Sequence, residues 1–183
     1  MIIGITCGGP HLVDRIAAAL DAGIDRVLVR EDAVPPIEAL ASAYPGRIVL
    51  HTRMPGALDC AERLPVGVHF SSAAVFPTRV PWSRSTHSIA EARAAIEAGA
   101  AWVLLSPIWR TSKPGDDRPP LGAEVLGVVP GTVALGGVSA ERVGACRAAG
   151  AFGVAGMGGI FGVEDVGAAV REWREAWESL QKQ

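Results

Sequence analysis

The sequence predicts a small (β/α)8 barrel with abbreviated helices on its middle units. Three observations carry this. Asp21-Ala-Gly-Ile-Asp-Arg-Val-Leu28, Glu97-Ala-Gly-Ala-Ala-Trp-Val-Leu104 and Ala148-Ala-Gly-Ala-Phe-Gly-Val-Ala155 each run from a helix end through glycine into a strand. Gly23, Gly99 and Gly150 are spaced close to three and two units of about 25 residues, the size of a compact βα repeat. The strand runs are apolar throughout rather than alternating, as in a parallel sheet covered on its outer side. Finally, Gly136-Gly137 and Gly158-Gly159 close two consecutive strands near the chain's end. A doubly wound open sheet also alternates strand and helix, but its glycine turn follows the first strand, so paired glycines after the seventh and eighth favour the barrel.

Taken in order, residues 2–6 read as strand one, stopped by Gly8, Gly9 and Pro10. Leu12, Ile16, Ala19 and Leu20 recur at helical spacing up to Gly23, a natural stop. Strand two is 27–30, a helix opened by Pro35-Pro36 runs to 43, and strand three is 47–51. Residues 57–63 form a turn or two of helix, and 66–70 a fourth strand. Little room for a helix remains over 71–78. Strand five falls at 80–85, with Pro81 awkward in a buried strand. A helix from Ser88 to Gly99 leads to strand six at 101–105. A polar, proline-rich loop fills 106–120, a length that usually marks a functional lid or disorder. A short helix over 123–128 precedes strand seven. The helix after strand eight is expected from 163 to 180, its first turn carrying Glu164 and Asp165, so that its positive dipole end lies beside the glycines. Its face of Val170, Trp173, Trp177 and Leu180 either packs on the barrel or serves a homodimer.

With 183 residues, the chain is expected to form one domain over 1–183. It is 49% hydrophobic and 20% charged, a globular rather than disordered composition. A net charge of -2 without a basic stripe excludes a nucleic-acid surface. No apolar run is long enough for a bilayer, and no basic flank precedes the N-terminal apolar run as in a signal peptide. Cys7, Cys60 and Cys146 are odd in number and far apart, which excludes a disulfide framework and suits a reducing cytoplasm.

In a barrel, chemistry gathers at the C-terminal strand ends. Those ends supply Arg30, His51, His69, the run Ser85-Thr86-His87, and the loop residues Thr111, Ser112 and Lys113. The set is cationic and hydroxylic, matched to an anionic ligand, and no Asp/Glu cluster marks a metal site. Glycines at a strand end let bare N–H groups approach a phosphate; the plainer reading is a tight turn. Arg30 either forks onto phosphate or carboxylate, or pairs with Glu31 or Asp32 at the rim. His51, beside Thr52, is a general acid or base or a packed imidazole, and His69 is read as structural. Ser85, Thr86 and His87 either meet a ligand or cap the helix that begins at Ser88. Lys113 either closes over a phosphate or stays solvated.

Val27-Leu-Val-Arg-Glu31, Gly67-Val-His-Phe70, Ser85-Thr-His-Ser88, Ser106-Pro-Ile-Trp-Arg-Thr-Ser-Lys113, Pro119-Pro-Leu-Gly122, Leu135-Gly-Gly-Val138 and Gly150-Ala-Phe-Gly-Val-Ala155 follow one another in an order that resembles the thiamine-phosphate synthase and TenI-type thiazole tautomerase family. The resemblance covers about 27–161. It implies a (β/α)8 barrel that binds a thiazole phosphate on amides of Gly136, Gly137, Met157 and Gly158, with Ser85, Lys113 and Arg30 at positions that serve the synthases, the first two on pyrophosphate. Thr111 belongs to the same phosphate-facing loop. The chain departs from the synthases at Leu28 and Asp32, where they carry glutamine and lysine, and at His51-Thr52, where they carry Asn-Asp. Ser71-Ser-Ala-Ala74 offers no aspartate for Mg²⁺, which is expected only if the chain is a synthase. Pro107 replaces the histidine of some tautomerases, leaving His51 and His87 as proton-transfer candidates. The expectation is a cofactor-free tautomerase acting on a small phosphorylated heterocycle. A divergent synthase and a non-catalytic phosphate-ligand or regulatory module are the alternatives.

Overall fold

A computed structural model describes residues 1–72, 78–111 and 117–179. Eight parallel strands close on themselves in sequence order. They are β1 (Ile2–Ile5), β2 (Arg26–Val29), β3 (Ile48–His51), β4 (Gly67–Phe70), β5 (Trp82–Thr86), β6 (Trp102–Leu105), β7 (Thr132–Ala134) and β8 (Gly153–Gly156), which returns to β1. The helices are α1 (Leu12–Asp21), α2 (Glu38–Ala43), α3 (Ala57–Arg63), α4 (Ile89–Glu97), α5 (Ala140–Ala148) and α6 (Val166–Glu178). The chain is a (β/α)8 barrel whose α2 and α3 are one to two turns long.

Each strand sends alternate residues to opposite sides of the sheet. Ile3, Ile5, Leu28, Val49, Trp102, Leu104, Val133 and Ala155 meet inside the barrel. Ile2, Val27, Val29, Ile48, Leu50, Val68 and Phe70 face outward and pack beneath the helices with Ile16, Leu20 and Trp173. Both faces are therefore apolar, which is why the strand runs do not alternate in hydrophobicity. The same period turns His51 and Ser85 inward at the top of β3 and β5, and, carried one residue past the strand ends, Arg30, Ser106 and Met157.

Four expectations are adjusted. Pro81 lies just before β5, which begins at Trp82, so the missing amide costs no ladder bond. Residues 123–128 hold only a 3-10 turn, Ala123–Val125, fenced by Gly122 at φ 82° and Pro130. The helix after β8 begins at Val166, not 163. A turn in which Phe161 and Gly162 N–H groups fold back on the Met157 carbonyl separates it from the glycines. Asp165 accordingly caps α6, accepting from the Ala168 amide at 2.8 Å, and the helix end is not beside Gly158. On that helix Val170 and Trp173 are 0% and 1% exposed and Trp177 is half-buried under Arg147, 5.2 Å from its ring centre, so these three face the barrel; Leu180 lies outside the described residues.

Candidate functional site

A cavity of about 820 Å³ opens at the C-terminal mouth, and every element around it enters through the inward alternation just described. On one side stand Arg30, His51, His69 and Ser85 from β2 to β5; on the other, Gly136 and Gly137 follow β7, and Met157 and Gly158 follow β8. Thr111, Arg110 and Arg118 lean in from the loop after β6. Lys113 lies outside the described residues.

The glycine pair after β7 is held by the loop after β6. Gly136 and Gly137 have φ of 89° and 67°, a region unfavourable for any residue bearing a Cβ. A Cβ on Gly136 would stand 2.8 Å from the Pro107 Cα, and one on Gly137 would stand 2.7 Å from the Trp109 Cβ. The Trp109 amide donates to the Gly136 carbonyl at 3.0 Å, and Ile108 to Leu135 at 2.9 Å. These glycines are thus required for the turn and the close packing in any case. Gly158 differs: its φ is not positive, and a Cβ added there would meet nothing within 4 Å. No amide of Gly136, Gly137, Met157 or Gly158 donates to another described group. Four uncommitted N–H groups at two adjacent strand ends make a donor surface for an anion.

Arg30 adds charge to the facing wall. Its backbone amide donates to Thr6 Oγ1 at 2.9 Å, while its guanidinium has no partner among the described residues. Both rim carboxylates are engaged elsewhere: Glu31 accepts from the Gly8 amide at 3.1 Å, and Asp32 faces Arg53 at 3.7 Å. The rim ion pair that would be the plainer role of Arg30 is therefore absent. Arg110 and Arg118, which no sequence pattern singles out, enlarge the cationic set.

Two of the histidines are held neutral. His51 Nδ1 accepts from the Arg53 amide at 3.0 Å; burial, then Arg30 and Arg53, push its pKa down to about 4. His69 is 1% exposed and lies on Trp102 with ring centres 5.6 Å apart and planes 21° apart. Its Nδ1 lies 2.8 Å from Ser83 Oγ and its Nε2 2.9 Å from Ser85 Oγ. Burial, then His51 and Arg30, bring its pKa to about 3. His87 is half-buried, with Nδ1 2.9 Å from the Ser106 carbonyl and the Arg118 guanidinium on the same nitrogen. That nitrogen either donates to the carbonyl or accepts from Arg118, so the tautomer follows Arg118. Ser88 itself caps α4, accepting from the Glu91 amide at 3.1 Å, and Glu91 returns to accept from the His87 amide at 2.8 Å. The side chains of Ser85, Thr86 and His87 are therefore not the cap.

Mg²⁺, which the resemblance implies only for a synthase, needs hard oxygen ligands. Among the described residues no Asp or Glu lines the cavity, and no group of three or more His, Cys, Asp or Glu side chains is arranged to hold a metal. The donor set among the described residues does not fit the ion. None of the helices among the described residues is long and apolar enough to cross a membrane.

Fold and mouth together define a small (β/α)8 barrel that keeps its functional groups at the C-terminal strand ends. Its relatives specify it further. The family model described as thiamine monophosphate synthase matches residues 73–160. A thiamine-phosphate synthase of Methanoculleus marisnigri is 30% identical, over 88% of this chain and 84% of the relative. One from Methanoregula boonei is 27% identical over 98% and 92%. The thiamine phosphate pyrophosphorylase structure from Pyrococcus furiosus superposes with a TM-score of 0.81 at 21% identity, covering 98% of this chain and 96% of that one. The chain belongs to the thiamine-phosphate synthase family.

Proposed function

We propose that this family member binds a thiazole phosphate, or a similarly small heterocyclic phosphate, and catalyses a metal-free proton shift on its ring. The observation that carries the reading is one cavity with, among the described residues, no partner for the amides on one wall, none for the Arg30 guanidinium on the other, and no carboxylate in its lining. The phosphate rests on the amides of Gly136, Gly137, Met157 and Gly158, with Thr111 beside it, and the ring extends toward β3 and β5. There His87 moves the proton, since its Nε2 has no partner among the described residues. His51 takes part as a neutral imidazole whose proton sits on Nε2, because Nδ1 already accepts. Burial and then Arg30 depress the His51 pKa, and a dianion in the site offsets the Arg30 part, so occupancy raises it.

The names of the relatives favour a second reading, a divergent thiamine-phosphate synthase joining hydroxymethylpyrimidine pyrophosphate to thiazole phosphate. The decisive assay supplies thiazole carboxylate phosphate with and without the pyrimidine pyrophosphate and Mg²⁺. Interconversion of thiazole tautomers that survives EDTA and is lost in His87→Ala or His51→Ala is the expected result. Thiamine phosphate formed only with Mg²⁺ overturns it in favour of the synthase, and binding without turnover overturns it in favour of a silent module.

A further inference from the structure

One polar wedge interrupts the apolar barrel interior. Register pairs His69 with Ser83 across β4 and β5, and puts Ser83 beside Trp102 of β6. His69 thus lies flat on an indole with a serine hydroxyl at each ring nitrogen. A neutral imidazole carries one proton and a serine one, so the direction of these bonds can be counted.

Ser83 is 1% exposed, and its hydroxyl is also 3.3 Å from the Val68 carbonyl, which only accepts. If Ser83 donates to that carbonyl, it can only accept from His69 Nδ1–H. Nε2 is then bare and accepts from the Ser85 hydroxyl. All three hydrogens are engaged. In the opposite order Ser83 donates to Nδ1, Nε2–H donates to Ser85, and the Val68 contact is lost. That order makes two bonds within the cluster where the first makes three, and it leaves the buried Ser83–Val68 contact unmade.

We propose that Ser85 faces the ligand as a hydrogen-bond acceptor, its own proton being held by His69. The ligand edge recognised against β5 is then a donor, an N–H, amino or hydroxyl group, and not a phosphoryl oxygen. This rests on the reading of the mouth as a site for a small heterocyclic phosphate and specifies the end of the ligand opposite the phosphate. His69 is a positioning residue, acting only through Ser85. The arrangement resembles an activated nucleophile, but no carboxylate stands behind the imidazole, and burial keeps it neutral near pH 7. The hydroxyl proton is oriented, not removed.

The test begins with the ligand-free protein, where long-range proton–nitrogen NMR reads the His69 tautomer. Protonated Nδ1 with bare Nε2 is expected; protonated Nε2 overturns the proposal. Ser83→Ala removes the acceptor for Nδ1–H, so the proton moves to Nε2 and the Ser85 hydroxyl hydrogen is released to the cavity. Binding of hydroxyethylthiazole phosphate and of its ring-amino derivative then reads the consequence. The amino compound is expected to bind the natural chain about fivefold tighter, the worth of one hydrogen bond, and to lose that advantage in Ser83→Ala. Equal affinities in the natural chain, or an advantage untouched by Ser83→Ala, overturn it. Inorganic phosphate binding is the control: its absence from the natural chain is a failure of the phosphate reading, while the tautomer measurement stands apart from it.

Discussion

Gly137 and Gly158 both belong to the amide surface, yet the structure predicts opposite responses to an added methyl group. At Gly137 the backbone has φ 67°, and a Cβ would lie 2.7 Å from the Trp109 Cβ and 2.8 Å from the Arg110 carbonyl. Forcing a side-chain-bearing residue into that region costs about 1–2 kcal/mol. Overpacking against backbone adds about 1–3 kcal/mol. Gly137→Ala is thus expected to lose about 2–5 kcal/mol, a melting-point fall of roughly 5–15 °C for a chain of this size. Gly158 has no positive φ and open space around it. Gly158→Ala is expected to melt at or slightly above the parent temperature, because alanine lowers the entropy of the unfolded chain by the equivalent of about 0.4–1 kcal/mol. Gly158→Ser adds a hydroxyl to the same wall and is expected to retain phosphate binding. Thermal unfolding followed by circular dichroism distinguishes the cases. Equal melting points for Gly137→Ala and the parent, or equal losses at both glycines, would refute the reasoning.

Two further outcomes follow from the facing wall. Arg30→Met removes a guanidinium with no described partner, so the melting point should move by less than about 3 °C, whereas charge-assisted hydrogen bonds worth about 1.5–3 kcal/mol are lost from an anionic ligand, a roughly ten- to hundredfold weaker Kd by calorimetry. The same variant should raise the pKa of His51, because Arg30 is one cause of its depression. The buried imidazoles also make the fold acid-labile. The folded pKa values of about 4 for His51 and about 3 for His69 lie below the unfolded value near 6.5, so the unfolded chain takes up protons first. Their stabilising contribution is complete above that value and falls as pH drops toward 4, each by up to about 1.4 kcal/mol per unit. Urea midpoints at pH 7, 6 and 5 should decline, and His51→Gln should flatten the decline; a slope unchanged by that substitution contradicts it.

Much of the fold is legible in the sequence because local signals agree. The runs at Ile48, Trp102 and Gly153 are apolar on both faces and flanked by glycine, which specifies buried parallel strands without knowledge of their partners. Features that depend on relations between strands are not legible in this way. That His69 meets two serines follows from the β4–β5 register, and register is set by barrel closure, which no single segment encodes. The signal available is period-two alternation: His69, Ser83 and Ser85 all fall on inward positions once the strand starts are known. Arg110 and Arg118 escape a sequence reading because a long polar loop has no periodicity to aim its side chains. The start of α6 is displaced from its expected place because Val163 and Glu164 continue a helical pattern, while the turn from Met157 to Gly162 is closed by backbone bonds with no side-chain signature. At the glycine pair, conformational need and ligand need coincide in the same residues, so sequence alone cannot separate them.

Backbone amide NMR during titration with inorganic phosphate tests the central claim most directly. Saturable shifts are expected to be largest at Gly136, Gly137, Met157 and Gly158, whose N–H groups have no partner among the described residues. Saturable shifts that leave these four amides still, or no saturable shift at all, would contradict it.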